Sequence, residues 1–185
     1  SKVAMKYGAQ VPFLRPLHLS GDEITADVAV ADMVNRLQVE KNISADIVVL
    51  IQPTSAFVTS AHIDTAVKLL HENADIDSVT TMCELDHRHH PYNLAFPSKG
   101  EDRWGFMFEK ERNEAHSRQS KPTALKFGNL FAVRVETMLN VGRFGINKGF
   151  VLIDQLYSWD VDYSWELDIA EFLIKNRIVN LPHIK

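Results

Sequence analysis

Two aspartates, Asp160 and Asp162, flank a single valine in Trp159-Asp160-Val161-Asp162-Tyr163. Alternate residues of an extended segment point to one side, so both carboxylates could address one hard cation. Magnesium suits such a pair where phosphates are also ligands, because it keeps several waters and needs only one or two protein carboxylates. Helix capping and an exposed strand end are the plainer use of the same residues. A second polar group, Gln52, Thr54, Ser55 and Thr59, follows the apolar run Ile47 to Leu50. Ligands of open α/β sheets are met outside the carboxyl ends of strands, which is where these side chains would sit if they are more than a turn. Arg118 lies in a charge-rich stretch; its planar fork could hold a carboxylate or phosphate at two points, or be solvated. His87, His89 and His90 crowd into LDHRHHPYNLAF. They lack a second ligand set at a recognised spacing, so a zinc site is set aside in favour of a surface or substrate-facing loop. Lys148 stands among Gly142, Gly145 and Gly149, but no G-K-[ST] follows and the loop is not of the Walker type.

The elements that would position these groups alternate. Val11 to Leu14 reads as a short strand ending at Arg15-Pro16, and Ile24, Val28, Ala31 and Val34 recur at helical spacing through Leu37. Ile47 to Leu50 suits a strand buried on both faces of a parallel sheet. Ser60 then reads as an N-cap before Ile63, Ala66, Val67 and Leu70, one helix face. Asp77 to Glu84 and Leu125 to Arg134 read as further strands, Val135 to Asn140 as a short helix, and Val151 to Tyr157 as a last strand. A final helix follows, capped by Ser164 or Asp162, with Leu167, Ala170, Leu173 and Ile174 on the sheet and Glu166 and Asp168 in its first turn. Between Lys99 and Lys121, Trp104, Phe106 and Phe108 alternate after a glycine, the pattern of a projecting hairpin.

Composition narrows the class. A chain of 185 residues, 45% apolar and 24% charged, can bury a core as one globular domain. A formal net charge of -4 with scattered basic residues offers no field for a nucleic acid backbone and no polybasic membrane patch. Any phosphate site must be local. Cys83 is the single cysteine, so no internal disulfide or thiolate zinc site can form, and the chain reads as a protein of a reducing, cytoplasmic compartment. No apolar run reaches the roughly 18 residues of a membrane span. Ser1 to Tyr7, SKVAMKY, reads as the last turns of a helix stopped by Gly8, as though the chain were incomplete at its amino end.

Four stretches in order resemble one family. LIQPTSAFVTSAHI is similar to the L-x-Q-P-T-S-P-x-R-T-x-x-x-I stretch of the acylneuraminate cytidylyltransferases, with Ala56 in place of a proline and Val58 of an arginine. GAQVPFLRPLHLS resembles G-x-x-V-x-x-R-P-x-x-L-[AS], and Arg118-Gln119-Ser-Lys-Pro122 resembles R-Q-x-x-P. DVDYSWELDIAE resembles the ending D-I-D-x-x-x-D-[LW]-x-x-A-E. The resemblance implies a three-layer mixed α/β sheet of the nucleotide-diphospho-sugar-transferase type, with a projecting dimerisation hairpin within about residues 85–125. It implies transfer of a cytidylyl group from CTP to a nonulosonic, sialic-type acid, with Mg2+ on Asp160 and Asp162 and Asp162 catalytic.

By the same likeness Arg15, Ser20 and Asp22 line the nucleotide pocket and Gln52, with Thr54 and Ser55, meets the sugar. Arg118 faces the acidic sugar or the phosphates, and His90, in an H-P pair with Pro91, lies near the sugar site. Lys126 stands where the family's F-R-P-N-G-x-x-Y has its arginine; Gly128-Asn129 reverses N-G, and Ala132 replaces the tyrosine. These departures leave open which acid is used: a nine-carbon acid, an octulosonate, or an acid of the pseudaminic or legionaminic type. The family's L-x-P-A-R-x-G-S-K phosphate loop has no counterpart here, so the resemblance implies a chain shortened at its amino end with apolar sheet edge uncovered. A non-catalytic module that binds nucleotide or sugar is the reading from another class. No nucleic acid or membrane partner is expected, and a homodimer is.

Overall fold

A computed structural model describes residues 1–98 and 102–182. Among the described residues six α-helices and six strands follow one another: α1 Lys2–Lys6, α2 Ala26–Lys41, β1 Ile47–Leu50, α3 Ser60–Glu72, β2 Ser78–Glu84, β3 Ala95–Pro97, β4 Trp104–Phe106, α4 Glu109–Glu114, β5 Leu125–Arg134, α5 Val135–Asn140, β6 Lys148–Leu152 and α6 Ser164–Lys175. Four strands form one sheet in the order β1-β5-β2-β6, and β3 pairs with β4 in a separate ribbon. The chain divides into two compact units, one of residues 1–52, 60–80 and 130–150, the other of 53–59, 81–129 and 151–185.

In the first unit β1 runs antiparallel to β5, with Ile47 opposite Arg134 and Leu50 opposite Phe131. The sheet is therefore mixed. Sequence reading put β1 inside a parallel sheet; it instead lies at the sheet's edge, half-buried, because its partner is the antiparallel β5. Helix α3 begins at Ser60 itself and buries Ala66 and Leu70. Helix α2 ends on Asn42 at φ 52°, where the N–H groups of Asn42 and Ile43 both donate to Leu37 O. That arrangement closes the last turn in the left-handed conformation asparagine tolerates. The face of α2 is rotated from the expected one: Val34 is buried, but Val28 is exposed. The Val11–Leu14 strand is not formed. Arg36 from α2 holds this stretch instead, with its guanidinium 4.0 Å over the Phe13 ring and a bond to Leu14 O.

Arg134, ending β5, donates to Leu70 O, Asn73 O and Ile76 O. These carbonyls terminate α3 and its following turn, so the arginine supplies donors the helix end lacks. Asp77 accepts from Ile146 N and Asn147 N and fixes the turn through Gly145, whose φ is 57°.

The second unit is built around Phe57, Ala170, Leu173, Val179 and Leu181, all buried together. Leu167, assigned to the buried face of α6 from the sequence, is exposed, because Ala170 and Leu173 set the contact stripe. The last strand is also displaced. β6 ends at Leu152, and Asp154 accepts from Leu156 N to start a 3-10 turn at Gln155–Ser158, so Val151 to Tyr157 is not one strand. Within this unit Leu85 N donates to Ala124 O and Asn129 N donates to Thr81 Oγ1, so the chain there runs in opposite directions along β2 and β5. The β3–β4 ribbon matches Ala95 with Phe106 and Pro97 with Trp104, an antiparallel pair where the alternating aromatics indicated a hairpin.

Candidate functional site

The loop after β1 and the segment before α6 meet inside the second unit. Val161 N donates to Thr54 O at 2.9 Å, and Ser55 and Asp160 form an antiparallel bridge. This single bridge replaces the extended strand expected over Asp160 to Asp162. Phe57, with no exposed surface, anchors the loop in the core, so Ser55 and Thr54 are held by packing two and three residues away. Gln52, exposed, closes the other unit just before the loop.

Asp160 and Asp162 are both exposed. The cap of α6 comes from neither Asp162 nor Ser164: Glu166 reaches back to accept from Asp162 N at 2.7 Å and Tyr163 N at 2.8 Å. Glu166 thus performs the carboxylate half of a capping box, and the side chain of Asp162 is not used to end the helix. Two exposed carboxylates one residue apart fit a cation that asks little of the protein. Among the described residues no group of three or more His, Cys, Asp or Glu could share an ion.

A second cluster surrounds Asn93. Its Oδ1 accepts from Arg112 Nη1 at 2.7 Å and from Lys121 Nζ at 2.8 Å, while its Nδ2 donates to His87 O. Arg112 also donates to Tyr92 O and stacks at 4.0 Å over Phe106, so its direction is fixed. Beside it, Ser117 accepts from Ser120 N and shapes the turn carrying Arg118, whose guanidinium has no partner among the described residues. These groups line a cavity of about 520 Å³ with His87, Asn113, Ala115 and His116. Among the described residues its wall holds Arg112, Arg118 and Lys121 and no carboxylate, which makes it locally cationic in a chain of net charge -4.

Arg118 and Lys121 also line a smaller cavity, of about 320 Å³, together with Glu84, Asp86, His90 and Gln155. His90 is buried there and both ring nitrogens are engaged. Nδ1 accepts from Tyr92 N, so Nε2 carries the proton and donates to Pro122 O at 2.9 Å. His90 therefore ties two loops together at the cavity wall. Asp86 caps the turn at His87–His89 through Arg88 N, and its hydrogen bonds from the Arg88 guanidinium hold its carboxyl far below the usual carboxylate range. Lys126 is exposed near the start of β5.

In the first unit, Arg15 donates through Nε to Leu19 O and through Nη2 to Ile24 O, and Ser20 Oγ donates to Pro16 O. Both organise their own loop. Asp22 is exposed, and Thr25 is the N-cap residue of α2. Arg15 also borders an apolar cavity of about 440 Å³ between Leu14, the Val30, Met33 and Leu37 side of α2, and β1.

Sequence reasoning passed over Asn93, Arg112 and Lys121, whose joint action depends on separate loops folding together. A cationic residue following the Arg118 turn was the one available signal. At Gly128, where the resembled motif's N-G is reversed, a Cβ would stand 2.5 Å from Thr81 Oγ1 and 2.9 Å from the Thr81 backbone. Glycine there is required by close packing.

No protein-family model matches the chain. The fold is a mixed α/β one shared with a solved structure of CMP:2-keto-3-deoxy-manno-octonic acid synthetase complexed with CTP, which superposes with a TM-score of 0.63. The two are 12% identical, and the match covers 95% of this chain and 76% of that one. Among characterised proteins, the post-translational flagellin modification protein B of Campylobacter coli is 26% identical over 180 residues, 96% of this chain and 73% of the relative. No helix among the described residues is long and apolar enough to cross a membrane.

Proposed function

We propose that the protein is a cytidylyltransferase, activating a nonulosonic, sialic-type acid with CTP to give a CMP-sugar and pyrophosphate. The observation that carries the reading is the meeting of the β1 exit loop with the carboxylate segment, Thr54 O with Val161 N and Ser55 with Asp160. It brings two of the resembled motifs, distant in sequence, into one place. The likeness to a CTP-complexed synthetase of a 2-keto acid supports the nucleotide and the reaction type.

In this reading the anomeric hydroxyl of the sugar acid attacks the α-phosphorus of CTP in line. The bond from that phosphorus to the bridging oxygen breaks, pyrophosphate leaves, and the hydroxyl proton passes to solvent or a phosphate oxygen. Asp160 and Asp162 would hold Mg2+, which when bound supplies positive charge to the phosphate oxygens. Gln52 orients the sugar, with Thr54 and Ser55 beside it. Arg118 takes the sugar carboxylate together with Lys121, Arg112 keeping the cavity positive from its fixed place on Phe106. Lys126 stands in for the family's arginine at the same substrate. Arg15 presents the loop that, with Ser20 and Asp22, meets the cytidine. Catalysis rests on placement and charge, since phosphoryl-type transfer asks for little covalent chemistry from the protein.

An acid of the pseudaminic or legionaminic type is the alternative to N-acetylneuraminic acid, supported by the exposed Lys126 in place of the family's arginine and by the similarity to a flagellin modification protein. A homodimer in the cytoplasm is part of the proposal. Phe96 and Trp104 on the β3–β4 ribbon, 59% and 63% exposed, supply an apolar surface for a second copy.

The test is pyrophosphate release by the full protein with CTP, Mg2+ and a panel of 2-keto sugar acids. Release with one eight- or nine-carbon acid and with CTP over other nucleotides is expected. Binding of nucleotide or acid with no release across the panel would instead establish a non-catalytic module.

A further inference from the structure

The segment that carries Thr54 and Ser55 is joined to the one that carries Asp160 by a buried side chain, that of Asn129. Asn129 is 3% exposed. Its Nδ2 donates to Tyr157 O at 2.9 Å and to Phe57 O at 3.4 Å. Phe57 lies two residues beyond Ser55, and Tyr157 three before Asp160. The amide cannot be turned round. Reversed, it would set Oδ1 against the carbonyl oxygens of Phe57 and Tyr157; as placed, the NH2 group faces them, Oδ1 accepts from the Thr81 hydroxyl at 3.0 Å, and Asn129 N donates to Thr81 Oγ1 at 2.8 Å. Gly128 lets the backbone lie close enough to Thr81 for both bonds, since a Cβ there would collide with Thr81.

We propose that Asn129, oriented by the Thr81 hydroxyl, is a positioning residue for the cytidylyl transfer of the preceding section, on which this inference rests. It sets the β1 exit loop in register with Asp160 and Val161. A carboxamide is the group that can do this: it donates to two carbonyls while accepting from a hydroxyl, and carries no charge that burial would penalise.

The test compares Thr81→Val, Thr81→Ser and Asn129→Asp in the full protein. Hydrogen exchange is followed at the Val161 amide, which donates to Thr54 O, and at the Arg134 amide, which donates to Asp77 O in the other unit. Thr81→Val and Asn129→Asp should speed exchange at Val161 about tenfold relative to Arg134, as buried hydrogen bonds that hold the two segments are lost. They should lower kcat by about as much and leave the KM for CTP within about twofold. Thr81→Ser keeps the hydroxyl and should restore all three values. Equal acceleration at Val161 and Arg134 would show general destabilisation and overturn the proposal, as would unchanged kcat with Val161 loosened. A wild-type protein that releases no pyrophosphate with any acid overturns the functional reading alone; whether Asn129 joins the two segments is still decided by the ratio of the two exchange rates.

Discussion

Asp162 shows how one neighbouring side chain decides what a residue is available for. Because Glu166 accepts from Asp162 N and Tyr163 N, the helix start is satisfied without the Asp162 carboxylate. Asp162→Asn should therefore leave α6 and the thermal midpoint nearly unchanged while lowering kcat on the order of a hundredfold, with CTP affinity within about twofold. Steady-state kinetics beside nucleotide titration checks this, and an equal loss in both would argue against a metal-holding role. Arg118 makes the complementary case. With no partner among the described residues, Arg118→Ala should raise the KM for the acid by about tenfold to a hundredfold, the worth of a charge-assisted hydrogen bond, and spare the KM for CTP. The types and spacing of Asp160, Asp162 and Arg118 were legible in the sequence because motif chemistry is local. The cationic wall of Arg112 and Lys121 was not, because Asn93 gathers it from separate loops.

At the scale of elements, strands and helices were readable where period and caps agreed, as over α3 and β2. The reading failed where a distant partner set the outcome. Val151 to Tyr157 is apolar enough for a strand, yet Asp154 caps a turn and stops it. Val11 to Leu14 has strand-forming residues, but α2 engages Phe13 and Leu14 through Arg36. The glycine before Asn129 is an element-level constraint of the same kind. Gly128→Ala forces a methyl against the Thr81 backbone and should cost about 2 kcal/mol, measured by urea unfolding. In α3, half-burial lowers the pKa of His62 below its ordinary 6.5. The folded state then binds that proton more weakly than the unfolded chain, so its contribution to stability is present above pH 6.5 and is lost as pH falls through the folded value. The urea midpoint should decline with acidification below that pH, and His62→Gln should reduce the slope.

For the whole molecule, an α/β architecture could be read from the alternation of elements and its mixed sheet from the family resemblance, but strand order could not. The antiparallel place of β5 and the edge place of β1 arise from pairings between residues more than seventy positions apart, which no local pattern encodes. An edge of Ile47, Val48, Val49 and Leu50 is a template for another strand. Light scattering should rise with protein concentration, and Val49→Lys, a charge on that edge, should suppress the rise.

Cys83 has no exposed surface, and its thiol donates to Ser158 Oγ, which donates in turn to Gln155 O. As the chain's single cysteine, it is sealed from an alkylating reagent for as long as the surrounding structure stays shut. The mass gained after a short pulse of iodoacetamide thus counts the molecules that have opened, giving this protein an unfolding clock that needs no dye, tag or mutation.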